Sequence, residues 1–440
     1  MEKTSPPPAP AFREALKFWL RLGFISFGGP AGQIAIMHDF LVDQKRWISN
    51  SKFLHALNYC MLLPGPEAQQ LATYTGWMLH GTRGGLAAGI LFVLPSALIL
   101  WVLSILYVTY GSIPAIQEVF GFLKPAVVAI VAGAIVKIGK KSLQTPLHVA
   151  VAIAAFTAIY FGNVPFPAII LGAILLGIVL AFTKLEKFGK RKHDDAYNNN
   201  SEERGYVINH HTVVPGSGFS TGRLLQQTGV AALLWALPFV LFFLSAPDFR
   251  FWKKLCLFFT QAALVTFGGA YAVLPYVAQV SVGQFGWLTH PQMLDGLALG
   301  ETTPGPLIIV LAFVGFMAGY NTCGGSLAAA SAGLFATVFY TFLPSFLFIL
   351  TGAPLIERTQ TNPAVKSVLQ YATAAVTGVM LNLCIFLGRA LIVPNPPEIL
   401  WWPLAWVLVS LAALQYFKVN MMTWIGVSVG AGLLKYALQL

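Results

Sequence analysis

The chain has 440 residues, 57% of them hydrophobic and only 10% charged. An ordinary soluble domain carries about a quarter charged residues, so this chain cannot cover a water-facing surface; a soluble enzyme and a disordered chain are both excluded. The net charge of +11 comes without a basic stripe interleaved with aromatics, so nucleic acid is not an expected partner, and the excess reads as Lys and Arg gathered in loops on one side of a lipid bilayer.

In chain order, the N-terminus has neither the charge block nor the apolar run of a signal peptide, which predicts insertion through the protein's own helices. Lys17 and Arg21 follow at i and i+4, on one helical face. They could attract an anion, or snorkel to lipid headgroups. Next comes Ser26-Phe27-Gly28-Gly29-Pro30, with Gln33 one turn on. Gly permits any backbone angle and Pro suits a first helical turn. The pattern predicts a broken helix whose free N–H groups would favour an anion. Gly pairs also serve close helix packing, and both readings stand. His38 beside Asp39 is a candidate proton relay or an ordinary interfacial pair, and Trp47 reads as an interface anchor.

The second break is Leu63-Pro64-Gly65-Pro66-Glu67, with Gln70. Two prolines around a glycine end one helix and begin another. An intramembrane carboxylate is expensive and is a functional candidate by default. Glu67 therefore stands as a proton-coupling group, with capping of a helix start as the alternative. Four apolar stretches follow, near 86–109, 119–136, 147–161 and 165–182. A Lys-, Asn- and Gly-rich segment at 184–223 reads as a flexible linker. An additional apolar segment lies within 224–248.

The remainder repeats the beginning. Phe27-Gly28-Gly29, Trp47, Pro64-Gly65-Pro66 and Gly84-Gly85 recur 240 positions later as Phe267-Gly268-Gly269, Trp287, Pro304-Gly305-Pro306 and Gly324-Gly325. Leu94-Pro95-Ser96 matches Leu343-Pro344-Ser345 after a short insertion. The chain thus divides into a first repeat (1–183), the linker (184–223), an extra transmembrane helix (224–248) and a second repeat (249–440). The second repeat adds Tyr271, Asp295, Glu301, Thr302 and Thr303 near its own breaks, and spans near 326–350, 367–388, 400–415 and 420–437. The arms of the broken segments are too short to cross comfortably and read as re-entrant hairpins. On that reading each half crosses four times and the extra helix inverts the second. Most basic residues then fall on one side, among them Arg13, Lys45, Arg46, Arg83 and Lys140, which makes the linker side cytoplasmic.

The fold class is therefore an all-α polytopic membrane protein, two homologous halves forming an inverted repeat with broken helices, the pattern of secondary transporters. The expected substrate site combines Gly28, Gly29, Gln33, Gly65, Gln70, Gly268, Gly269, Tyr271, Thr302, Thr303 and Gly305. Glu67, Glu301 and His38 are the coupling candidates. No nucleotide-binding loop, catalytic motif or metal-ligand spacing is present. The four cysteines stand far apart. No catalytic residue, metal or cofactor is expected, and the chain does not read as an enzyme.

The segments Phe24–Gln33, Leu63–Leu71, Val265–Leu274, Met293–Leu297 and Glu301–Leu307 closely resemble the chromate ion transporter family, over nearly the whole chain outside the termini and linker. The resemblance implies a multi-pass protein of the bacterial inner (plasma) membrane that exports chromate and confers chromate resistance. It implies energy from the proton gradient, as in an antiporter, or from the membrane potential, and two halves of opposite orientation. The long linker is no part of the family pattern. Sulfate is a tetrahedral dianion of similar size, so a sulfate or other oxyanion transporter stays open, as do a passive anion channel and a homodimeric assembly.

Overall fold

The computed structural model describes residues 7–61, 63–182, 205–209, 212, 220–267, 269–359, 363–394 and 398–438. Gly268 and most of the expected linker lie outside the described residues. Within them the protein is all-α, with no strand ladder.

Helix α1 (Phe12–Ile25) and α2 (Gly29–His38) fold back on each other around Gly28 and Gly29. Both glycines sit at positive φ, 89° and 71°, which only glycine adopts freely. The return is closed at the foot. Phe18 stacks on Phe40 with centroids 3.7 Å apart, and Lys45 Nζ lies 2.8 Å from Glu14 Oε1. A π-helical turn, Asp39–Gln44, leads to Trp47. Helix α3 (Asn50–Cys60) is capped by the Ser49 hydroxyl and runs to Pro64-Gly65-Pro66. Helix α4 (Glu67–Tyr110) is two helices divided at His80 and Gly81, where Gly81 takes φ 63°. Residues 67–79 lie back along 82–110 because Gly76, Gly84 and Gly85 leave no side chain between the backbones. His80 Nε2 then stands 2.9 Å from Pro10 O, beside the foot of α1.

After α5 (Pro114–Ser142), α6 (Pro146–Tyr160), α7 (Phe166–Phe182) and α8 (Thr221–Ser245), the same order of elements begins again. Helices α9 (Phe249–Leu264) and α10 (Ala270–Ala278) form the next hairpin, followed by a π-helical turn, Gln279–Gln284. Then come α11 (His290–Thr302), the Pro304-Gly305-Pro306 break and α12 (Val310–Thr322). The foot is again aromatic, Phe258 against Phe285, and Asn321 Nδ2 donates to Trp287 O at 2.8 Å. The series ends with α13 (Leu327–Thr359), α14 (Pro363–Ile392), α15 (Trp401–Leu411) and α16 (Met421–Leu438).

The two halves interlock. α5 of the first packs on α15 and α16 of the second, and α14 of the second packs on α6 and α7 of the first. Lys435 pairs with Glu118 at 2.8 Å across one contact, and the Ser367 hydroxyl donates to Gly177 O across the other. The feet of the hairpin pairs stand at opposite ends of the long arm of α4. His80 reaches the first pair, while the Tyr107 hydroxyl donates to Asp295 Oδ2 of α11 at 2.9 Å. Helical rise puts about 40 Å between those ends.

Four details differ from the sequence expectations. Among the described residues six helices are long and apolar enough to cross a membrane, whereas nine crossings were expected. α6, α7 and α15, with 15, 17 and 11 residues, are shorter than the ~20 residues a bilayer asks for. Gly84-Gly85 and Gly324-Gly325 are not equivalent: the first pair packs inside α4, while the second sits at positive φ in the turn before α13. The structural partner of Gly84 is Gly333, each pressed against a backbone carbonyl of the preceding helix. Trp47 and Trp287, 3% and 5% exposed, pack inside the aromatic feet instead of lying at a lipid interface. Finally, part of the expected linker is docked. Val207 and Ile208 N–H donate to Arg46 O and Trp47 O, and Ser49 N–H donates back to Ile208 O. Ile208 is buried there, since Tyr206-Val207-Ile208 is an apolar run inside a polar segment.

Candidate functional site

The tips of the broken segments meet in the middle of the molecule, and they meet crosswise. Gly305 N–H donates to Ser26 O at 2.7 Å, and Gly65 N–H donates to Thr266 O at 2.8 Å. Each Pro-Gly-Pro therefore bonds to the residue preceding Phe-Gly-Gly in the other half. Proline has no N–H, so the central glycine carries the one backbone donor of each tripeptide. Both glycines hold positive φ, 127° at Gly65 and 101° at Gly305. There is no room for a side chain at either. A Cβ on Gly305 would strike the Ser96 hydroxyl and come within 2.6 Å of Ser96 Cβ. A Cβ on Gly65 would strike the Ser345 hydroxyl and come within 2.7 Å of Gln70 Nε2. The repeated Leu-Pro-Ser segments thus back the tips, again crosswise.

Side chains distinguish the junctions. At the Ser26–Gly305 junction, Gln33 is buried and its Nε2 donates to Gly305 O and to Ser26 O. Glu301, 3% exposed, accepts from the Tyr271 hydroxyl at 3.0 Å. It shares a narrow cleft with Ser26, Gly28, Gly29, Thr303 and Gly305. That cleft has a volume of about 10 Å³, room for about one water, so the tips are closed on each other. At the Thr266–Gly65 junction stands Glu67, half-buried in the first turn of α4, with Oε1 3.9 Å from where a Cβ of Gly269 would lie. The two acids do not superpose in the repeat, yet each borders one junction.

Other expected site residues bond within their own segments or lie apart from the junctions. Gln70 Nε2 donates to Pro64 O at 2.7 Å and secures its own turn. The hydroxyls of Thr302 and Thr303 donate to Leu299 O and Gly300 O of their own helix. His38 lies at the first foot, 3.1 Å from Asp43 Oδ2 and 2.8 Å from Asn50 Oδ1. Lys17 and Arg21 are exposed on α1. Sequence reasoning did not single out Lys124 or Tyr107, which hold Asp295 beneath the second tip. Lys124 Nζ is 2.9 Å from Asp295 Oδ1. The available signal was a lone cation inside the apolar run of α5.

Chemically, the tips offer helix starts. The first turns of α2, α4 and α10 expose backbone N–H groups that have no partner within the helix, and such ends attract negative charge. Buried carboxyl groups next to them can carry protons. Among the described residues no cluster of His, Cys, Asp and Glu could hold a metal.

This is a polytopic all-α membrane protein whose broken helices converge at its centre, the arrangement found at transporter binding sites. The family described as Chromate transporter matches residues 13–178 and 253–434, covering both hairpin pairs and their following helices. The chain belongs to that family. Relatives include a probable chromate transport protein of Synechococcus elongatus, 28% identical over 87% of this chain and 86% of the relative. A chromate transport protein of Cupriavidus metallidurans is 28% identical over 93% and 90%, and one of Pseudomonas aeruginosa is 30% identical over 85% and 80%. No solved structure matches the chain.

Proposed function

We propose that this protein is a secondary active transporter that exports chromate across the cytoplasmic membrane, driven by the proton gradient or the membrane potential, and so confers chromate resistance. The observation that carries the reading is the crosswise pair of junctions, Gly305 to Ser26 and Gly65 to Thr266. Each places the tip of one half against the helix start of the other, so a substrate bound between them senses both halves. The names of the relatives support the choice of substrate.

In this reading the halves, 1–183 and 249–440, lie in the membrane with opposite orientation, the extra helix at 224–248 supplies the odd crossing, and the linker is cytoplasmic. The positions of the hairpin feet at opposite ends of α4 favour it. The dianion rests on backbone N–H groups at Gly28, Gly29 and Gly269, each helix end contributing up to ~2 kcal/mol when partly buried. Gln33 supplies side-chain amide hydrogens. For the anion to enter, the closed cleft must open, which releases the glycine N–H groups of the two junctions to the substrate. Thr302 and Thr303, bonded to their own helix, become donors only if that end of α11 rearranges. Glu67 and Glu301 would repel a dianion when charged, so the protonation state of the two carboxyls governs whether the anion binds.

The test is flux of chromate and of sulfate in proteoliposomes under imposed pH and voltage gradients. Accumulation driven by an imposed pH gradient is expected for proton coupling, and movement only down the anion's own electrochemical gradient would leave the membrane potential as the sole drive or make the protein a channel. Glu67→Gln and Glu301→Gln are each expected to lower pH-driven flux at least tenfold while the purified protein stays folded. Wild-type flux in both variants would remove the coupling role.

A further inference from the structure

Beneath the second tip lies a much larger space. A cavity of about 470 Å³ opens between the end of α4, the start of α5, and helices α11 and α12. Lys124 and Asp295 line it. Their ion pair spans the two halves at 2.9 Å, with side chains 22% and 7% exposed. Tyr107, wedged between Phe120 and Phe313, donates its hydroxyl to the other oxygen of Asp295. Removing two opposite charges from water is a poor way to gain stability, because desolvation offsets much of their attraction. An ion pair inside an otherwise apolar bundle is a mark of function.

The duplication sharpens the point. Helices α5 and α14 begin with Pro114 and Pro363, and the Leu-Pro-Ser segments share the same spacing. On that register Lys124 corresponds to Thr373 and Tyr107 to Ile356, while Asp295 corresponds to His55 by the spacing of the Pro-Gly-Pro breaks. The Lys–Asp–Tyr group therefore exists once, at one mouth of an otherwise twofold molecule. Gln292 adds a donor there. Its Oε1 accepts from Thr289 N–H and from Asn321 Nδ2, which leaves its NH₂ as the group it can offer the cavity. Gln117 and Tyr320 complete the polar lining.

We propose that this cavity is a second oxyanion site, a vestibule in which Lys124 takes a tetrahedral dianion and Asp295 is the internal competitor that holds the ammonium when no anion is present. An ammonium is a compact point charge with three donors, suited to an oxyanion. Asp295 keeps it from being an unpaired buried charge between turnovers. An arriving anion displaces the carboxylate from Lys124, while Tyr107 keeps its hydrogen bond to Asp295. Asp295 stands six residues before Glu301 on α11, about 9 Å by helical rise. Occupancy of the vestibule therefore adjoins the closed tips directly. The inference rests on the proposed transport of an oxyanion.

The experiment measures sulfate and chromate flux in proteoliposomes as a function of anion concentration on the side of this mouth. Lys124→Gln is expected to raise the half-saturating concentration at least tenfold with little loss of maximal flux, and Lys124→Arg to restore most of the affinity. Asp295→Asn removes the competitor and is expected to lower the half-saturating concentration severalfold. Because breaking one partner of a buried pair can unfold a protein, the double variant Lys124→Gln/Asp295→Asn, which leaves no charge, is measured beside them and is expected to match Lys124→Gln. If the folded double variant saturates like wild type, or if Asp295→Asn weakens binding as much as Lys124→Gln, the vestibule site is overturned while central transport stands. Absence of oxyanion flux in the wild type would instead overturn the transport reading and this inference with it.

Discussion

The two tip junctions share a backbone and differ in side chains. In both, a glycine N–H between two prolines donates to the carbonyl before Phe-Gly-Gly of the opposite half, with a Leu-Pro-Ser serine packed behind it. Around that common frame, Gln33 bridges one junction where the repeat places Val273 in the other. Glu301 ends its helix, bonded to Tyr271, while Glu67 begins its helix. The frame explains how the tips are held at mid-molecule. The side chains are where the two junctions can act differently.

The largest effects are expected from breaking the frame, and they should be unequal. At Gly305 an alanine Cβ meets Ser96 Cβ at 2.6 Å, which is fixed to the backbone of α4. At Gly65 the atoms in the way are the Ser345 hydroxyl and Gln70 Nε2, the movable ends of side chains. Both sites also force a non-glycine residue to positive φ, a strain of about 1–3 kcal/mol. Gly305→Ala is therefore expected to abolish flux, at least a hundredfold, and Gly65→Ala to lower it about tenfold. Flux together with thermal stability of the purified variants checks both. Equal losses would mean that the clash with Ser96 does not govern the tip.

An intermediate effect separates a side chain that bridges halves from one that serves its own turn. Gln33→Leu removes the amide joining Gly305 O to Ser26 O, leaving buried carbonyl capacity unmet, a loss of about 1–3 kcal/mol. Flux should fall about tenfold. Gln70→Leu loses only the bond to Pro64 O within one loop and should lower flux threefold or less. If Gln70→Leu proves the more damaging, the local turn matters more than the bridge, and the two junctions are less different than their side chains suggest.

How much of this was legible before the structure depends on the kind of signal. The breaks were plain, since Gly-Gly and Pro-Gly-Pro each interrupt helical geometry and recur at one spacing. The all-α class followed from hydropathy. What the sequence could not carry was the crosswise pairing, because Gly65 and Gly305 bond through backbone atoms that every residue except proline possesses. The roles of Ser96 and Ser345 were hidden for a related reason: their repeat was visible, but their importance comes from proximity to a glycine in the other half. The Gly84-Gly85 match misled, because equal spacing does not tell a packing glycine from a turn glycine. Lys124 was visible as a lone cation among apolar residues, yet its meaning depended on Asp295, far away in sequence and adjacent in space.

The smallest expected effect tests whether Glu301 acts through its one side-chain partner. Tyr271→Phe deletes a single hydroxyl, the donor to Glu301 Oε1, and leaves the ring to fill the same space. A hydrogen bond to such a group contributes about 1.5–3 kcal/mol at most to stability; a two- to fivefold fall in pH-driven flux is expected. The decisive comparison is with the acids. Residues that act as one unit are non-additive, whereas separate sites add. Tyr271→Phe should change nothing further in a Glu301→Gln background, because the interaction it removes is already altered there. In a Glu67→Gln background it should impose its full two- to fivefold effect, because Glu67 borders the other junction. If the two backgrounds respond alike, the junctions are coupled through a common movement of the tips, and the separation of their side chains into two local roles fails even though the shared backbone frame remains.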